Sequence, residues 1–227
     1  MNFTPASPGS VASFIVIVAF VIAAFLAGAR RAFAGNLRKT LLAALGLGAW
    51  LGLICALVAS GRLPRLPLGG LPLFFGGVLL VSSLAALSRL GGRFAAGIPL
   101  AALVGFQAFR LPLELVLHEW ARQGTIPGTM TWTGQNWDIV AGTVALLAAP
   151  LAGRRRGIAW GANLVGLLLL LNVMRVAVMS SPLPFAWGQQ PPLLLAWHLP
   201  YALIGPVCVG GALFGHLVLT RALLQRR

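Results

Sequence analysis

The sequence predicts an all-α integral membrane protein, one domain over residues 1–227, built as a bundle of seven transmembrane helices with the N-terminus outside and the C-terminus cytoplasmic. Three observations predict it. Hydrophobic residues make up 59% of the chain and charged residues only 9%, whereas a soluble domain charges about a quarter of its residues because its surface faces water. Apolar runs near the ~20 residues that cross a bilayer recur along the whole length. Basic residues collect at alternate connectors, the pattern that marks cytoplasmic loops.

The runs can be taken in order. The first covers 11–29, follows a polar N-terminal segment without Lys or Arg, and ends in Arg30 and Arg31. A secretory signal opens on a basic region, so this run is expected to stay as a spanning helix. The second covers 40–60, the third 68–87 and the fourth 97–118. The fifth, 139–153, is short and is lengthened by the polar residues 136–138; the sixth is 157–179 and the seventh 199–220. One set of alternate connectors, with the C-terminal end, carries Arg30, Arg31, Arg38, Lys39, Arg89, Arg93, Arg154, Arg155, Arg156, Arg221, Arg226 and Arg227. The opposite set carries only Arg62, Arg65 and Arg122, and the two remaining arginines, Arg110 and Arg175, fall inside runs. A wrong helix count would scramble this alternation. Trp120, Trp132, Trp137, Trp187 and Trp197 all fall at the outer ends, where amphipathic rings prefer the interface; Trp50 and Trp160 do not.

Composition also excludes function classes. The net charge of +14 could neutralise phosphates, but the basic residues flank apolar runs and form no clustered face with stacking aromatics, so no nucleic-acid partner is expected. Cys55 and Cys208 lie inside apolar runs and read as small buried residues. No Cys/His metal spacing occurs, and no cofactor is expected. Membrane lipids are the partners the composition itself demands. A single lysine against sixteen arginines fits a GC-rich bacterial genome.

All three acidic residues, Glu114, Glu119 and Asp138, lie in one stretch. Glu119 belongs to the water edge. Arg110, Glu114 and His118 stand at i, i+4 and i+8 and share a helix face, with Gln107 one turn earlier. A charge in hydrocarbon costs on the order of 2.5–3.5 kcal/mol, so an Arg110–Glu114 pair facing the bundle interior is expected. Pro112 between them predicts a kink. Asn136 and Asp138 enter the fifth run at the same outer level, Asn172 and Arg175 lie near the outer end of the sixth, and His198 and Tyr201 begin the seventh. Arg175 could pair with Asp138. The convergence predicts an outward-facing polar pocket formed by Arg110, Glu114, His118, Asn136, Asp138, Asn172, Arg175, His198 and Tyr201, with nothing comparable in the inner half.

Three functions fit such a pocket. The first is binding or transport of a small polar or anionic solute, held by the two arginines, with Glu114, His118 and Asp138 able to carry a proton. Against a full carrier, no internal repeat is visible. The second is a membrane-embedded metal-dependent hydrolase opening to the periplasm, with His118, Asp138 and His198 as ligands and Glu114 as base. The spaced histidines of the seven-helix hydrolases are absent, as are Gly-x-Ser-Gly and His-Glu-x-x-His, so the sequence leans away from an enzyme. The third is a non-catalytic scaffold or assembly partner. A retinal receptor is excluded in its usual form, since the seventh run has no lysine.

The stretch from Phe109 to His118, then Ile126-Pro127, Met130-Thr131 and Gly134 to Ile139, with Ser181-Pro182 and Pro184-Phe185, resembles a family of bacterial polytopic inner-membrane proteins with no known activity. The resemblance covers the second half of the chain. It implies a multi-pass protein of the bacterial inner membrane and adds no function.

Overall fold

The computed structural model describes residues 2–225, and among them every regular element is helical. Arg226 and Arg227, counted above with the C-terminal charges, lie outside the described residues. Helix α1 (Pro8–Ala32) opens on Ser7, whose hydroxyl accepts from the Ser10 amide, and carries Pro8 at its first position, where no amide is needed. It closes on Arg30 and Arg31, which face the negative end of the helix dipole. A turn with positive φ at Ala34 and Gly35 leads to α2 (Leu37–Ala59), capped by Asn36. Helix α3 (Leu71–Leu87) follows a 3-10 turn at Pro67–Gly70. The 97–118 run begins later than the sequence suggests, because residues 89–97 form their own helix α4 (Arg89–Gly97). Its arginines Arg89 and Arg93 are exposed while Phe94 and Ala95 are buried, so it lies with one face on the bundle.

The fourth run becomes α5 (Leu100–Phe106) and α6 (Arg110–Arg122), joined by a 3-10 turn at Gln107–Phe109. The irregularity foreseen at Pro112 thus falls one turn earlier. Proline cannot donate to the carbonyl four residues back, and the chain tightens where that bond is missing. Then come α7 (Asp138–Ala152), α8 (Arg156–Ser180) and α9 (Gly210–Gln225), the last reached through a 3-10 turn at Tyr201–Ile204 and a π turn at Gly205–Val209.

Six of these stretches are long and apolar enough to cross a membrane: α1, α2, Pro67–Leu87, Leu100–Arg122, α8 and Tyr201–Gln225. Several such helices make a multi-pass membrane bundle. Helix α7 is apolar but only 15 residues long, about 22 Å at 1.5 Å per residue.

Side-chain contacts sort the connectors into two ends. At one, Arg31 donates to the Gly97 carbonyl and Arg221 to those of Ala86 and Ser88. At the other, Trp120 donates to Ser10, Gln123 to Ser7, and Trp197 to the Gly69 carbonyl, and Thr129 bonds Ser180. The second end carries most of the tryptophans. Trp120 itself is fully buried against Phe14 and Tyr201, so its indole serves packing and not the interface.

Two connectors at the tryptophan end fold into the bundle. Residues 193–196 are buried, and the Leu193 amide donates to the Ser180 carbonyl. The 123–137 segment buries Thr125, Ile126, Met130, Thr131 and Asn136. Its amides bond internally, Gln135 to Thr129 and Asn136 to Thr131, which is how irregular backbone survives away from water. This inward fold explains the shortness of α7. The helix starts at Asp138, beside Arg110, and Arg110 sits near the middle of the 100–122 stretch.

Candidate functional site

Arg110, the first residue of α6, is 1% exposed. Its Nε donates to Asp138 Oδ2 at 2.6 Å and its Nη2 donates to Oδ1, a bidentate pair. Nη1 donates to the Gly166 carbonyl at 3.0 Å and lies 3.1 Å from His216 Nε2. A guanidinium has no acceptor and keeps its protons, so Nε2 must accept and the imidazole carries its proton on Nδ1. That proton points to Asn163 Oδ1 at 2.9 Å. Asn163 Nδ2 donates to Thr220 Oγ1, and that hydroxyl donates to the His216 carbonyl. One arginine therefore ties α6, α7, α8 and α9 together.

Glu114 lies one turn beyond, also 1% exposed. Its Oε1 accepts from Asn136 Nδ2 at 2.7 Å, and the same amide group donates to the Met130 carbonyl. Asn136 Oδ1 accepts from the Asp138 amide at 3.2 Å, giving the first amide of α7 a partner. The second oxygen, Oε2, is buried and has no partner among the described residues. Gln107, below, donates to the Ala212 carbonyl, and its own Oε1 is likewise unpartnered.

Arg110, Glu114 and Asp138 form one wall of a cavity of about 110 Å³. The rest of its lining is apolar and comes from α3 (Phe74, Val78), α8 (Leu170, Met174) and the approach to α9 (Cys208). Residues 193–196 contribute Leu193, Leu195 and Ala196 to the same lining.

The nine residues grouped from sequence separate into four environments. Arg110, Glu114, Asn136 and Asp138 come together. Arg110 pairs with Asp138 and not with Glu114 as expected, because the inward fold of 123–137 delivers Asp138 across the bundle. Arg175 does not reach Asp138 either. It is exposed, bonds Gln135 Oε1 and Asn172 Oδ1, and lies 5.4 Å from the Trp187 ring. Asn172 Nδ2 donates to the Gln135 carbonyl, so these two residues brace the 123–137 segment from outside. His118 stacks on Trp132 at 4.2 Å. His198 stacks on Phe3 at 4.0 Å, and the Tyr201 hydroxyl accepts from the Ala6 amide, so both anchor the N-terminal segment. The three residues weighed as metal ligands thus stand in separate contacts. Among the described residues no group of three His, Cys, Asp or Glu converges.

His216, Asn163 and Thr220 are the residues sequence reading missed, and they carry the polar cluster into the half expected to be bare. A signal existed: His216 is the one histidine of the sequence that lies within an apolar run and not at its edge, with Thr220 at i+4.

The N-terminal anchor carries a pH prediction. Burial holds the His198 imidazole below its ordinary value near 6.5. The detached state then binds a proton more readily than the stacked one, so the anchor's stability is full above pH ~6.5 and is lost as pH falls below it. Hydrogen exchange of residues 2–7, corrected for intrinsic rates, should accelerate at pH 5 relative to pH 8. Equal protection would refute the role of the stack.

Comparison with family models, with curated proteins and with solved structures finds no match for this chain.

Proposed function

We propose that the chain is a bacterial inner-membrane protein of seven spans, α7 being the short one, with its N-terminus outside, its C-terminus cytoplasmic, and a central site that binds a small solute for transport. The charge alternation supports the orientation. The observation that carries the function is the buried Glu114 Oε2, without a partner among the described residues, on the wall it shares with Arg110 and Asp138 in a cavity whose remaining lining is apolar. An orphaned acceptor away from water costs about 1–3 kcal/mol, and a ligand that donates to it removes that cost.

The sign of the ligand follows from the same contacts. Arg110 spends its N–H groups on Asp138, Gly166 and His216, which leaves it little to offer an anion. Of the small polar or anionic solutes the sequence suggests, one with an ammonium or other donor at one end and a short apolar body at the other fits better than an anion. A cavity of 150 Å³ accepts benzene, so 110 Å³ suits a body of about four or five heavy atoms.

Short alkylammonium ions test this. Propylammonium and butylammonium are expected to raise the melting temperature of the purified protein, while carboxylates of equal length leave it unchanged. Glu114→Gln should abolish the shift and Arg175→Lys should preserve it. Identical behaviour of amines and carboxylates, or a full shift in Glu114→Gln, would refute the reading.

A further inference from the structure

A second and larger void, of about 1150 Å³, opens at the arginine-rich end between α1–α2 on one side and α3, α4 and α9 on the other. Its walls are apolar, with Phe20 and Phe25 on α1, Leu42 and Trp50 on α2, Phe94 on α4 and Phe214 on α9. The void exists because α2 leans away from the bundle. Its buried residues are Ile54 and Val58, both near the far end, while Leu42 and Leu45 are 60% and 68% exposed. Gly46 itself adds no side chain to the gap, and a Cβ built there meets nothing within 4 Å.

The mouth is basic. Arg30 and Arg31, exposed at the end of α1, line it. The chain's acids stand only at 114, 119 and 138, and the ion pairs among the described residues are Arg110–Asp138 and Arg122–Glu119. Among the described residues no carboxylate lines this groove, so an anion from outside the chain can meet Arg30 and Arg31 there. The depth is also informative. From Arg31 back to Phe20 along α1 is eleven residues, about 16 Å, and half of a ~30 Å hydrocarbon core is about 15 Å. The groove is one leaflet deep, apolar along its length and positive at the headgroup level.

We propose that this groove holds one molecule of anionic phospholipid, its phosphate against Arg30 and Arg31 and an acyl chain running between α2 and α9 toward Phe20. The site is separate from the Glu114 cavity and does not depend on its reading. It anchors α2, the helix with the least protein contact, to the rest of the bundle through lipid.

The test uses the full chain in detergent, with native mass spectrometry and thermal melts after addition of phosphatidylglycerol, phosphatidylcholine or inorganic phosphate. One phosphatidylglycerol per chain should be retained and raise the melting temperature, with phosphatidylcholine and free phosphate much weaker. Arg30→Gln/Arg31→Gln should weaken retention about thirtyfold, while Arg154→Gln/Arg155→Gln on the same end should change it little. Gly46→Phe, which fills the groove and keeps both arginines, should also lower retention. Equal losses in the two arginine pairs, full replacement by inorganic phosphate, retention unchanged in Gly46→Phe, or a lipid-free dimer closed over α2 would each overturn the proposal.

Discussion

Arg110→Ala is expected to destabilise the bundle by about 3–5 kcal/mol, the cost of leaving one partner of a buried ion pair without its counter-charge. The substitution strands Asp138 and also removes the donors from the Gly166 carbonyl and His216 Nε2. Four helices lose their common tie at once. Asp138→Leu alone should cost a similar amount, since it strands the guanidinium. The double variant Arg110→Met/Asp138→Leu should recover much of the loss, because apolar replacement of both partners is often neutral or stabilising. Reversible unfolding in mixed micelles measures all three. A single-variant effect below ~1 kcal/mol would mean that the pair is solvated and not buried, contrary to its 1% and 7% exposure.

Gly142→Ala is the second large effect. A Cβ at this position would stand 2.4 Å from the Leu111 backbone nitrogen and 2.9 Å from its Cα. Backbone cannot swing aside as a side chain can, so α7 must move off α6, and overpacking of this kind costs about 1–3 kcal/mol. The displacement also drags Asp138, four residues away on the same helix, from Arg110. Gly76→Ala is the control, since its added Cβ meets nothing within 4 Å, and alanine favours a helix by roughly 1 kcal/mol over glycine. Unfolding should therefore show loss at 142 and slight gain at 76. Equal behaviour of the two variants would refute the close packing of α6 and α7.

The fold was more legible in the sequence than the site was, for a physical reason. Long apolar runs report the solvent around a helix, so the segments at 8–32, 37–59 and 156–180 could be read from composition alone. Arg89, Leu90, Arg93 and Phe94 already alternate as an amphipathic turn, yet their short helix was hidden between longer runs. The polar site was legible as a list of residues and not as a set of partners. Spacing of i, i+4 proposes Arg110–Glu114 because sequence shows only local neighbours. The actual partner, Asp138, stands 28 positions further along the chain, after a connector whose inward course depends on turns at Gly128, Thr131 and Gly134. His216 lies 106 residues from Arg110, and no local pattern could join them. Arg175 and Asn172 misled for the opposite reason. They stand on the same helix as Gly166 but six and nine residues beyond it, where they meet Gln135 and not Arg110.

In the proposed function, Glu114 Oε2 takes its donor from a bound solute. A map of the full protein in lipid nanodiscs with saturating butylammonium tests it most directly. Density is expected for one ligand in the cavity between α3, α6 and α8, its nitrogen at hydrogen-bond distance, about 2.7–2.9 Å, from Glu114 Oε2, with the Arg110–Asp138 pair intact. An empty cavity, or a ligand whose nitrogen lies elsewhere while Oε2 stays unpartnered, would contradict it.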